Sequence, residues 1–273
     1  MHPVSGIARP LDVSYLTNRA IAIFSLAIVV IITTTTAFNG VGIVESMISG
    51  AASGLVVFLA WALGREVDPD HDLSALFAAA LMAAALFSVL PLPDLVTPLW
   101  LLLLLRLVNR TTGRAATPID VAVMLILTLW HLWQGFLMAG PIAAAALLID
   151  GTLRGPAPHR IPAAGIALAA AAGALFAERE TAITIPPLTA GIVTAVVATV
   201  LFLLVIAESS TIRTSGDSGG RPLDAGRVRA AQALALATAL ITLLWKSGAL
   251  VPLWAAVLAA GTWQVMLMIR KTR

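Results

Sequence analysis

The chain has no cysteine, which excludes a disulfide framework, thiol catalysis and any Cys-ligated metal centre. Charge is nearly as scarce. Asp, Glu, Lys and Arg make up 11% of the residues, against roughly 25% in soluble domains, and no stretch has the composition of a folded soluble domain. The sequence also lacks a Gly-rich phosphate loop, an HExxH helix and paired haem histidines. Residues 215–220 reproduce the string around a serine-protease nucleophile, but they lie in a polar connection with no β-rich region to supply a triad. What remains is apolar: 59% of the residues are hydrophobic, and the mean hydropathy is +0.96. Such a chain would aggregate in water and is suited to a bilayer.

A crossing of the hydrocarbon core takes about 20 apolar residues, fewer where flanking side chains snorkel or the bilayer thins. On that measure about ten segments qualify: 20–38, 41–64, 73–92, 95–108, 119–135, 136–148, 161–177, 185–207, 231–245 and 250–269. The pattern predicts an all-α, polytopic membrane bundle forming a single domain. The middle of the chain is the least regular part, because Pro141 falls inside a short run. Residues 119–148 therefore fit two helices, one bent helix or a re-entrant pair. The only long connection, 208–230, is rich in Ser, Gly and Arg and reads as a flexible cytoplasmic loop. No cleavable signal follows the first apolar run, which reads as an uncleaved anchor.

Lys and Arg accumulate on the cytoplasmic side of such proteins. With ten spans, fifteen of the seventeen fall on one side, leaving Arg179 and Lys246 on the other. One span more or fewer in the middle would scramble this alternation. Both termini are thus expected in the cytoplasm, and in a bacterium the location would be the inner membrane. The pI of 10.2 reflects these scattered loop charges and not a nucleic-acid surface. By the same count the glycosylation-like string Asn109-Arg110-Thr111 faces the cytoplasm. Trp61, Trp100, Trp245 and Trp254 lie near span ends and read as interface anchors. Ser46, Gly50 and Gly54 form a small-residue stripe on the second span, which suits close helix packing within the chain or a homo-oligomer contact.

Polar chemistry concentrates in few places. Residues 65–72 hold Glu66, Asp68, Asp70, His71 and Asp72, and the four carboxylates are candidate ligands for a hard cation such as Mg²⁺. An EF-hand is excluded by Leu73 and Ala79, which stand where Gly and Glu are required. The competing structural role is capping of the third helix by Asp68 and Asp72. A second cluster, Arg106, Asn109, Arg110, Thr111, Thr112 and Arg114, is suited to phosphate oxygens. Arg106 would lie inside the interface and needs a partner, for which Glu66, Asp68 and Asp120 are candidates. Asp150, Arg154, His159 and Arg160 contribute to the same face.

Acidic residues after the second and sixth spans are placed similarly to the motifs of membrane-embedded prenyltransferases. The four-residue interval of that superfamily's first motif is met here only by Glu66 with Asp70 and Asp68 with Asp72. The second acidic pair, near Asp150, is missing, so membership is not implied. At the other extreme, His131 and Gln134 on the fifth span, with Pro141, Pro186, Pro187 and Pro252 as helix interruptions, are what a transport path would use. Three functions follow: a small-molecule permease, with His131 and Gln134 binding substrate; a cytoplasm-facing enzyme on an anionic or lipid-linked diphosphate, using Arg106, Asn109, Arg110 and a divalent metal; or a scaffold subunit.

Overall fold

The computed structural model describes residues 4–87, 93–153, 160–176, 190–217, 222–245 and 250–272. Among them the chain forms ten helices: α1 (Leu16–Phe38), α2 (Ile43–Val67), α3 (Asp72–Phe87), α4 (Val96–Asn109), α5 (Pro118–Trp133), α6 (Ala139–Thr152), α7 (Arg160–Phe176), α8 (Ala190–Glu208), α9 (Ala225–Trp245) and α10 (Val251–Lys271). No strand occurs among the described residues, and the one isolated β-bridge joins Ser215 to Pro222. Helices α1, α2, α8, α9 and α10 are long and apolar enough to cross a membrane, whereas the other five are shorter apolar helices. At 1.5 Å per residue, the 14-residue α4 and α6 are about 21 Å long, against a hydrocarbon core of about 30 Å.

Prolines begin helices in this chain. Pro98, Pro118, Pro141, Pro162 and Pro252 all occupy the first turn of their helices, where the missing N–H would have had no intrahelical partner. Pro141 and Pro252 therefore interrupt nothing, contrary to the expectation for a broken transport helix. Pro186 and Pro187 lie outside the described residues. Helices α5 and α6 are separate, and the turn between them has a physical cause. Gly135 adopts φ +85°, its N–H donates to Leu132 O at 3.0 Å, and that of Phe136 donates to His131 O at 2.9 Å. This is a Schellman ending, which requires a left-handed residue just past the helix.

The core is built around α2, α4 and α10. Helix α2 packs on α1, α3, α4, α9 and α10, and α4 packs on α2, α5, α6 and α9. Trp100, Leu101, Leu104, Leu105 and Leu147 are fully buried there. Helix α1 is peripheral and turns Ile23, Leu26 and Val30 outward, an apolar face of the kind a hydrocarbon solvent accepts. The small-residue stripe is taken up inside the chain. A Cβ on Gly50 would run into Thr33 and Val29, and one on Gly54 would meet Val29 and lie 2.8 Å from Ser25 O. Of the two uses open to the Gly50 and Gly54 stripe, the one seen is close packing within the chain, on α1.

Hydrogen bonds and ion pairs gather the starts of α3, α5, α7 and α9 and the ends of α2, α4, α6 and α8 at one end of the bundle. Thr17, in the first turn of α1, reaches Asp72 there as well. Successive helices therefore run to and fro, as the alternation of charge requires. The connection after α8 is held at several points in its described part. Asp70 accepts from the N–H groups of Arg213 and Thr214, Asp217 N–H donates to Thr111 O, and Gln232 bridges Ser209 to Val67 O. The expected free loop is thus anchored, and Arg227 and Arg229 belong to α9.

Candidate functional site

Two buried carboxylates organise the charged end. Glu66, in the last turn of α2, is 1% exposed. It accepts from Arg106 Nε at 3.2 Å, Asn109 Nδ2 at 3.1 Å and Thr111 Oγ1 at 3.2 Å, while Asn109 Nδ2 also donates to Glu66 O at 2.8 Å. Asp150, in the last turn of α6, is fully buried and faces three guanidinium groups. Arg110 donates through Nε at 2.8 Å, Arg160 through Nε at 3.4 Å and Arg227 through Nη1 at 2.9 Å. Arg227 Nη1 also donates to Val108 O at 3.0 Å, and Arg160 caps Ala116 O.

Local helix physics opposes much of this arrangement. Carboxylates are disfavoured at helix C-termini, where Glu66 and Asp150 sit, and cations at helix N-termini, where Arg160 begins α7 and Arg227 lies in the first turn of α9. Arg110 adds backbone strain: it is the one non-glycine residue with positive φ among those described, at φ 53° and ψ 43°. The left-handed turn ends α4 beneath Asp150. These residues hold their places through one another, since a buried charge without a partner is far more costly than a paired one.

The expected metal cluster does not assemble. Among the described residues no group of three or more His, Asp or Glu side chains converges to hold an ion. Glu66 is spent on α4, Asp68 accepts from Ser74 Oγ at 2.6 Å and pairs with His71 Nδ1 at 2.7 Å, Asp70 holds the connection after α8, and Asp72 pairs with Arg65. Their spacing in sequence suits a metal loop, but the end of α2 and the start of α3 turn them toward four different neighbours. Asp120 serves another purpose than pairing with Arg106: with Thr117 it makes the capping box of α5, and it accepts from Ser5 Oγ at 2.5 Å and Gly6 N–H at 2.8 Å. This ties the N-terminal segment to the charged end.

The His131 and Gln134 pair is not brought together. Gln134 is exposed and ends α5. His131 is 3% exposed, stacked 4.8 Å from the Trp100 ring, and bonded through Nδ1 to Leu127 O at 2.7 Å and through Nε2 to Thr97 Oγ1 at 3.1 Å. Trp100 is no interface anchor either: it is fully buried and its indole donates to Thr128 Oγ1 at 3.0 Å. Arg154, His159, Arg179 and Lys246 lie outside the described residues. Arg227 was missed as a site residue because it reads as one more topology charge. The signal that could have found it is a cation in the first turn of an apolar helix, where the dipole disfavours it.

These features define an all-helical bundle with five membrane-length apolar helices, compatible with a membrane protein, and with a buried arginine and carboxylate centre at one end. Comparison of the chain with protein-family models, with curated proteins and with solved structures finds no match.

Proposed function

We propose that the protein spans a cell membrane with its charged end and both termini in the cytoplasm, and that this end takes an anionic, phosphate-bearing substrate of the lipid-linked kind. One observation carries this: four guanidinium groups, Arg106, Arg110, Arg160 and Arg227, converge on Glu66 and Asp150 at one end of the bundle. Positions that violate local preferences are expected where function requires them. Planar guanidinium forks match phosphate oxygens, and burial strengthens each contact.

A small-molecule permease for the same class of anion is the second reading. It no longer draws on His131 and Gln134 but on the short helices α4 and α6, whose length would bring Asp150 below the membrane surface. Thermal unfolding of the purified protein with inorganic diphosphate, geranyl diphosphate and geraniol tests the shared step. The diphosphates should raise the unfolding temperature of the wild type, because a ligand that binds only the native state stabilises it. Geraniol should not, and Arg110→Gln should abolish the rise. If no anion shifts the wild type, the reading fails. Proteoliposome uptake against product formation then separates permease from enzyme.

A further inference from the structure

A small cleft opens between the N-terminal segment, the start of α1 and the ends of α2 and α4. Arg9, Asn18, Phe58, Trp61, Arg65 and Arg106 line it, and no carboxylate does. Each arginine is held from outside the cleft, Arg9 by Asp217, Arg65 by Asp72 and Arg106 by Glu66. Their side chains are fixed by these anchors, while Arg9 and Arg65 repel one another. A second observation is independent of charge. Trp61 is 6% exposed, and its indole N–H is buried without a hydrogen-bond partner. A buried donor left unpaired is unusual and calls for an acceptor. Phe58, 5.3 Å from the Trp61 ring, and Leu11 and Ala62 make the remainder of the lining apolar.

We propose that this cleft binds a phosphate ester, with Arg9, Arg65 and Arg106 on the phosphate oxygens, the Trp61 indole N–H donating to one of them, and the apolar wall taking the first carbons of the esterified group. Three donors of fixed position and one orphan donor match an acceptor-only, multiply charged headgroup. The inference rests on the reading that the charged end handles anions, and it places a phosphate ester at a second position there, beside the Asp150 centre and lined by none of Arg110, Arg160 and Arg227. The ester can come from a lipid or from solution.

Affinities of the full-length protein in neutral detergent, measured for dihexanoyl phosphatidic acid, glycerol 3-phosphate and dihexanoyl phosphatidylcholine, test it. Phosphatidic acid should bind, and Arg9→Gln and Trp61→Phe should each weaken it by about tenfold, as expected for loss of a charge-assisted or buried donor. Trp61→Phe retains an aromatic ring while removing the indole donor, so a folding defect in Arg9→Gln would leave the test intact. Glycerol 3-phosphate binding with the same sensitivity assigns the cleft to a soluble ester, and its absence assigns it to a lipid headgroup. Anion binding that depends on Arg110 but is unchanged by Arg9→Gln and Trp61→Phe overturns the cleft and leaves the function standing. Absence of any anion binding overturns both.

Discussion

The two ends of the bundle solve the same problem in opposite ways. Polar groups buried away from water must be paired. At the end where α4 begins and α5 stops, pairing is mostly local or between neighbours. His131 uses a carbonyl one turn back in its own helix, Thr97 reaches the nearby Asp94 and also meets His131, and Trp100 meets Thr128 on the adjacent helix. At the charged end the pairing is long-range: Asp150 on α6 draws its partners from α7, α9 and the residue ending α4. The first arrangement is a joint between two helices. The second forms only when four elements have docked, and it leaves guanidinium groups in excess. Among the described residues, the second is the one that concentrates guanidinium groups.

The comparison is broken most severely at Asp150. Replacing it with Asn removes the charge that three arginines share, two of them buried, and Asp150→Asn should destabilise the protein by about 3–5 kcal/mol, the usual cost of leaving buried charges uncompensated. Thermal unfolding in detergent measures this. A loss below about 1 kcal/mol would show that the arginines find other partners, as exposed ion pairs do, and the charged end would then be no more demanding than the opposite one.

Much of the fold is legible in the sequence because hydropathy and charge alternation report it directly. Ten apolar segments become ten helices, with ends displaced by a few residues, most at α9, whose first turns hold Arg227 and Arg229. The pairing of Arg106 with Glu66 is also legible, since Arg106 lies inside its apolar segment, Glu66 just past the end of its own, and alternatives are few. The four carboxylates of 65–72 mislead because proximity in sequence is not convergence in space: the chain turns there, and each side chain points to a different neighbour. Trp100 misleads for the opposite reason. Its place near a segment end resembles an interface anchor, but the short helix α4 lies inside the bundle, and tertiary burial overrides the positional rule. Nothing in the spacing of Arg9, Trp61 and Arg106 reveals that they share a cleft.

At the other end the expected loss is smaller. Trp100→Phe removes the indole donor but keeps an aromatic ring against His131 and Phe136. Thr128 loses one bond while its hydroxyl still donates to Met124 O at 2.7 Å. The cost should be about 1 kcal/mol, that of one ordinary hydrogen bond, and anion binding should be unchanged. If Trp100→Phe instead weakened binding as Arg110→Gln does, the two ends would be coupled and the contrast between joint and site would fail.

The smallest effect belongs to the rim, at His71, which sits between α2 and α3 outside either helix. Its hydrogen bond to Asp68 raises its pKa above 6.5, an effect that burial opposes and the fields of Asp68 and Asp70 reinforce against Arg213. A group whose pKa is raised on folding stabilises the folded state while it is protonated. The contribution is fully present below about pH 6.5, the unperturbed histidine value, and is lost as pH rises through the higher folded value. Unfolding temperatures measured across that window should therefore fall with rising pH in the wild type, and His71→Gln should flatten the trend. The ring is 33% exposed, so solvent screens the pair and the amplitude should be modest beside that of Asp150→Asn. A slope of the opposite sign would mean that His71 is bound as the neutral form, and that Asp68 is held by Ser74 alone.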